Sequence, residues 1–236
     1  MGRISRVMAD FFLAFMWVWS GVLVNIFVHR ILGFGRDMSG ELVRYVLSVA
    51  NMFLFAYFQK LTNGGLHNPL MALASSVSGG VAEFIFAVAI RIPVEVIGTI
   101  IGVKHILQTF PEIGRGPHLK VAIHRGALTE GMLTFAIVTI SLGLTRKIRG
   151  SFFMKTWIVS LSKLTLHILG SDLTGGCMNP APVMGWAYAR GEHITKEHIL
   201  VYWLAPVQAT LLAVWIFRLV VKPQTGKQEK PKAKHE

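Results

Sequence analysis

The chain has 236 residues, of which 53% are apolar and only 15% charged, and its mean hydropathy is +0.52. A water-soluble domain carries about 25% charged residues, so this balance excludes an ordinary soluble enzyme or binding module and indicates an integral membrane protein. The net charge of +12 is spread over loops and the C-terminal stretch rather than gathered on one folded face, which points to lipid headgroups and away from nucleic acid.

Apolar runs long enough to cross a hydrocarbon core of ~30 Å recur at about 7–29, 42–61, 81–103, 127–144, 152–171 and 199–221, predicting six spans. The first run carries Trp17 and Trp19, is too long for a signal peptide and has no small-residue cleavage site after it, so it is expected to remain as a span. An even number of spans puts both termini on one side. Arg3 and Arg6, then Arg146, Lys147, Arg149 and Lys155, and the Lys-rich tail all share that side, and their bias predicts cytosolic termini. Arg30, Arg36, Lys104, Arg115, Lys120, Arg190 and Lys196 fall on the other. The single cysteine, Cys177, rules out an internal disulfide and a multi-cysteine metal site, and is expected to be a packing residue; no metal or cofactor is implied.

Between spans two and three the chain reads GGLHNPL (64–70), and between spans five and six GGCMNPA (175–181), the same Gly-Gly-x-x-Asn-Pro skeleton. Other pairs keep the order: Asp10-Phe-Phe-Leu-Ala-Phe15 with Glu130-Gly-Met-Leu-Thr-Phe135, and Pro93-Val-Glu95 with Pro206-Val-Gln208. The chain is therefore one domain built of two repeats, about 7–107 and 123–221, followed by a tail over 222–236. Three spans per repeat is an odd number, so the second repeat enters the membrane inverted, the arrangement that places a binding or conduction site near the midplane.

Asn favours the N-cap and Pro the first helical position, so Asn68-Pro69-Leu70 and Asn179-Pro180-Ala181 each read as the start of a short helix, ended by Gly79-Gly80 and Gly191. A helix of about 11 residues spans roughly 16 Å, half the hydrocarbon core, so these segments are predicted to be re-entrant half-helices meeting N-terminus to N-terminus. Their free amide groups and positive dipole ends, with the Asn68 and Asn179 carboxamides, would repel cations while accepting a neutral oxygen. Water held by two opposed donors turns its hydrogens outward, which breaks a proton relay. Leu70, where the second loop has Ala181, must either push the helix ends apart or project toward the pore.

Six spans with paired Asn-Pro half-helices resemble the aquaporin, or major intrinsic protein, family over nearly the whole chain. Asn68-Pro69-Leu70, the continuation NPAPVMGWAYARGEHITKEH, the short N-terminus and the basic character resemble its plant small basic intrinsic branch. The resemblance implies an all-α, right-handed six-helix bundle, homotetramers with one pore per subunit, and passage of water and small neutral solutes. It also implies a second constriction away from the cytosol, which carries over to Ser48, His167, Gly176 and Pro182. Pro182 departs from water-selective relatives, which have Arg there; Pro supplies neither the charge nor the donors. Small Ser48 and Gly176 then imply a wider, less polar constriction.

Lys163 lies four residues before His167 and so on the same helix face, one turn nearer the midplane, where it is expected to supply the missing positive charge. In the family, acids placed like Asp10 and Glu130 hold the loop backbone. Glu95 is without a role, beyond neutralisation by Arg91 one turn earlier. The tail KPQTGKQEKPKAKHE is Lys-rich and apolar-poor. Its end, Lys232-Ala-Lys234-His-Glu236, resembles the Lys-x-Lys-x-x retrieval signal of endoplasmic reticulum membrane proteins, as the branch resemblance also implies. The expectation is a passive channel of that membrane. The rival is a weakly conducting structural protein with the same fold. An intramembrane enzyme is excluded by the lack of a catalytic constellation.

Overall fold

The computed structural model describes residues 2–77, 79–114 and 116–221. The tail, with Lys232 and Lys234, lies outside the described residues. Among those described, the secondary structure is helical: α1 Arg3–Ile26, α2 Met38–Leu61, α3 Pro69–Ser76, α4 Val81–Phe86, α5 Ile92–Thr109, α6 Ile123–Arg146, α7 Phe152–Ser171, α8 Pro180–Arg190 and α9 Ala205–Val220. Single π-helical stretches extend α1 (Phe27–Ile31), join α4 to α5 (Ala87–Arg91) and lead into α9 (His198–Leu204).

The inverted repeat is visible in these limits. A shift of 120 residues carries α1 onto α6, and a shift of 113 carries the start of α5, Ile92, onto the start of α9, Ala205. The two internal π-turns fall at matching places, each just before the proline of its span, Pro93 or Pro206. Proline lacks the N–H and crowds the carbonyl four residues back, and a local widening of the helix absorbs both defects without breaking the span.

Five helical stretches among the described residues are long and apolar enough to cross a membrane: Arg3–Ile31, Met38–Leu61, Val81–Thr109, Ile123–Arg146 and His198–Val220. The sixth expected span, α7, has 20 residues but is diluted by Lys155, Lys163 and His167, all of which border internal cavities. Apolar side chains point outward over much of the bundle, such as Phe153 and Leu219 at 66% and 63% exposure, a surface suited to hydrocarbon rather than water.

Inside, small residues bring backbones together. A Cβ on Gly98 of α5 would come within 2.6 Å of the Phe11 carbonyl oxygen of α1, and one on Gly102 within 2.6 Å of Val18. One apolar cluster, Leu133, Ile137, Val138, Leu142, Ala213 and Val214, seals α6 against α9. A second, Val18, Val22, Val103, Ile106 and Trp186, seals α1 and α5 against α8. Both clusters reach the half-helices: Ala74 of α3 and Met178, just ahead of α8, belong to the first, and Trp186 of α8 to the second.

Candidate functional site

α3 and α8 begin alike. Asn68 and Asn179 stand in extended backbone as N-caps, and their Oδ1 atoms accept from the N–H of Leu70 (3.0 Å) and Ala181 (3.2 Å). Each carboxamide then reaches across: Asn68 Nδ2 donates to the Met178 carbonyl and Asn179 Nδ2 to the His67 carbonyl, both at 2.9 Å. Two reciprocal bonds thus tie the tips of the half-helices together. A carboxamide nitrogen carries two hydrogens, so each Asn keeps one donor for the lumen.

The amide donors at the tips are scarcer than four per helix. Pro69, Pro180 and Pro182 have none, Leu70 and Ala181 are taken by the caps, and Met71 and Ala72 donate to the Asn68 carbonyl (3.0 and 3.1 Å). The expectation of a full set of orphan N–H groups at the midplane is corrected: the carboxamides and the dipole ends are what remain. The lengths also differ from the expected 11 residues in one half, since α3 has 8 and α8 has 11. α8 ends on left-handed Gly191, whereas α3 ends on Val77, ahead of Gly79-Gly80.

The loops are held from behind by buried acids. Glu130 of α6 accepts from Thr174 Oγ1 (2.6 Å), Cys177 N (2.8 Å) and Met178 N (3.0 Å). Asp10 of α1 accepts from Leu66 N (2.7 Å) and is forked by Arg91, Nε at 2.6 Å and Nη2 at 2.8 Å; the same Nη2 donates to the Gly64 carbonyl at 2.8 Å. Arg91 is therefore turned to Asp10 and not, as its spacing implied, to Glu95. Glu95 is fully buried, with neither carboxyl oxygen hydrogen-bonded. Cys177 packs beside Val183, Val201 and Tyr202.

Two cavities meet at this junction. The first opens on the face that carries the ends of α2 and α6 and the start of α7, and is bordered by Gln59, Asn68, Leu70, Thr145 and Lys155. The second, of about 700 Å³, opens on the opposite face. Ser48, His167, Gly176 and Pro182 all border it, together with Asn179, so the structure gathers these four residues around one lumen. Ser48 donates its hydroxyl to the Arg44 carbonyl (2.8 Å), and the His167 ring nitrogen Nδ1 lies 3.2 Å from the Gly176 carbonyl. Gly176 has φ +54°, and a Cβ there would fall 2.5 Å from the His167 carbonyl oxygen, so no other side chain fits between loop and helix.

Lys163 borders both cavities, its ammonium 4.6 Å from the ring centre of Trp17. Among the described residues it makes no ion pair. Leu70 is 1% exposed, packed at the edge of the first cavity, and the two cross-bonds remain equal despite it. Three lumen-facing side chains escaped the sequence reading. Arg44, paired with Glu41, borders the second cavity; His67 borders the first and stacks on Trp17 at 4.4 Å; Trp17 borders both. The heptad-like spacing of Arg44 and Ser48 on α2, one helical turn apart, was the available signal for the first.

The comparisons with known proteins agree with this geometry. The family model described as major intrinsic protein matches residues 2–217. The protein called probable aquaporin SIP2-1 of Arabidopsis thaliana is 72% identical over 237 residues, covering 100% of both chains. The one called aquaporin SIP2-1 of Zea mays is 49% identical, over 95% of this chain and 91% of its own. Among solved structures, the aquaglyceroporin from Plasmodium falciparum superposes with a TM-score of 0.72 over 92% of this chain and 96% of that one, at 14% identity, which speaks to the fold alone. The chain belongs to the major intrinsic protein, or aquaporin, family, in its small basic intrinsic branch, and is accordingly a multi-pass transmembrane channel protein rather than an enzyme.

Proposed function

We propose that this protein is a passive channel for water and small neutral solutes in the endoplasmic reticulum membrane, with both termini cytosolic and one pore in each subunit of a homotetramer. The observation that carries the reading is the junction of α3 and α8: two carboxamides tied across the tips at 2.9 Å, each with a spare donor, between cavities opening on opposite faces. A donor pair of that kind orients water with its hydrogens outward and interrupts proton relay.

Ser48, His167, Gly176 and Pro182 form the outer selectivity constriction in this reading, supported by their shared lumen. With proline in place of a guanidinium, the fixed charge against cations falls to Lys163, supported by its position on both cavities and by its making no ion pair among the described residues. Asp10 and Glu130 act as loop supports. Lys232 and Lys234 act as the retrieval signal, and lipids cover the outward apolar surface. Liposomes holding the purified protein should re-swell after osmotic shrinkage when a permeant neutral solute such as urea is supplied outside, and a Lys163→Leu protein should leak cations or protons faster than the wild type. An unchanged leak would remove Lys163 from the barrier. A reporter bearing Lys232→Ser and Lys234→Ser should escape to the cell surface; continued retention would show the signal to be inert.

A second reading, a weakly conducting structural protein with the same fold, is favoured by one observation: bulky side chains stand where the two cavities join.

A further inference from the structure

Four residues border both cavities: Trp17 of α1, Met52 of α2, Lys163 of α7 and Met178, just ahead of Asn179. They form the group of side chains, here called the ring, where the two cavities adjoin. The repeat places this ring on the midplane, because a shift of 111 residues, the one that carries Asn68 onto Asn179, also carries Met52 onto Lys163 and His67 onto Met178. Trp17 breaks the symmetry. The shift of 120 that maps α1 onto α6 gives it Ile137 as counterpart, a smaller side chain that borders only the first cavity.

The indole is fixed on three sides. It stacks on His67 with centroids 4.4 Å apart and planes 25° apart, meets Phe55 edge-on at 4.9 Å and 90°, and carries the Lys163 ammonium 4.6 Å from its ring centre. Stacking, edge-to-face contact and cation–π attraction all favour this one orientation. His67 in turn is part of the junction, since its carbonyl accepts the Asn179 carboxamide. The ring is thus anchored to the half-helix tips and projects between the cavities.

We propose that Trp17 is the size-determining residue of this pore: clamped by His67, Phe55 and Lys163, its indole sets the narrowest cross-section at the midplane and slows solutes wider than water more than it slows water itself. This rests on the channel reading above, and the test separates the two. Full-length wild type, Trp17→Leu, Trp17→Phe and Trp19→Leu proteins are placed in liposomes, and osmotic shrinkage and urea-driven re-swelling are followed by light scattering. Trp19 borders neither cavity and serves as the control for losing an indole from α1.

Trp17→Leu should raise water permeability on the order of tenfold, the factor that about 1.4 kcal/mol of barrier is worth. It should also admit urea faster than wild type does; Trp17→Phe should give a smaller rise and Trp19→Leu none. A wild type that conducts, with Trp17 variants that match it in both water and urea, overturns the proposal and leaves the channel reading intact. A wild type at the rate of empty liposomes with a conducting Trp17→Leu overturns both the channel reading and the size-filter role, since the indole then blocks water as well. If all four proteins, folded by circular dichroism, match empty liposomes, the channel reading falls and this proposal with it. Should Trp17→Leu fail to fold, Trp17→Phe carries the test, and the absence of any rise there overturns it.

Discussion

The two Asn-Pro loops do one job with different chemistry. The second loop hangs on a single carboxylate, Glu130, which collects three neutral donors; it passes through Met178 in the left-handed region at φ +48°, a conformation that costs energy for a side chain with a Cβ. The first hangs on an ion pair, Asp10 with Arg91, in which the guanidinium also holds the Gly64 carbonyl, and its helix opens with a buried Leu70 where the other has Ala181. Yet both deliver the same cross-bond, 2.9 Å from carboxamide to opposite carbonyl. What the fold specifies is the meeting of the tips, and the scaffolding behind each is free to differ.

That contrast can be broken deliberately. Asp10→Ala should have the largest effect, about 3–5 kcal/mol of lost stability, because it leaves Arg91 as an uncompensated buried charge. Among the described residues Glu130 accepts from neutral donors and no cation is stranded, so Glu130→Gln should cost less, about 2 kcal/mol, as the amide cannot accept at both ends. Both are read from unfolding of the detergent-solubilised protein. Equal losses would contradict the distinction between an ion-paired and a neutral support.

Leu70→Ala makes the first half-helix start like the second and should fall close behind Asp10→Ala at about 3 kcal/mol, within the range for buried leucines. A loss under about 1 kcal/mol would show that the first loop closes over the deleted methyl groups. The water permeability of the same variant, higher, lower or equal, reads whether Leu70 shapes the first cavity. The caps should rank with Glu130→Gln: Asn68→Ala and Asn179→Ala each lose about 1 kcal/mol of cap energy and about 1 kcal/mol for one cross-bond, and the two losses should be alike. Clearly unequal losses would show that one tip depends on its neighbour more than the shared geometry implies.

Much of this was legible in the sequence. Composition and the apolar runs gave the spans, and the duplicated Gly-Gly-x-x-Asn-Pro skeleton gave the half-helices and their inversion, because caps and prolines act locally and leave local marks. The partner of Arg91 was not legible. Spacing along one helix offered Glu95, but the guanidinium crosses to Asp10, 81 residues away, a choice made by packing between α1 and the π-turn before Pro93. The consumption of the first-turn amides by the caps was missed for a similar reason: it depends on how tightly each short helix winds over its asparagine. Trp17 read as one more apolar residue in the first span, since nothing in its own neighbourhood reveals that His67 and Lys163 close on it from distant segments.

The claim on which all of this depends is that a path for water runs through the junction of the half-helices. Its most direct test is the rate at which liposomes containing the wild-type protein shrink under an outward osmotic gradient, set against empty liposomes of the same lipid. Faster shrinkage that leaves the proton gradient intact is the predicted result; rates equal to those of empty liposomes would contradict it.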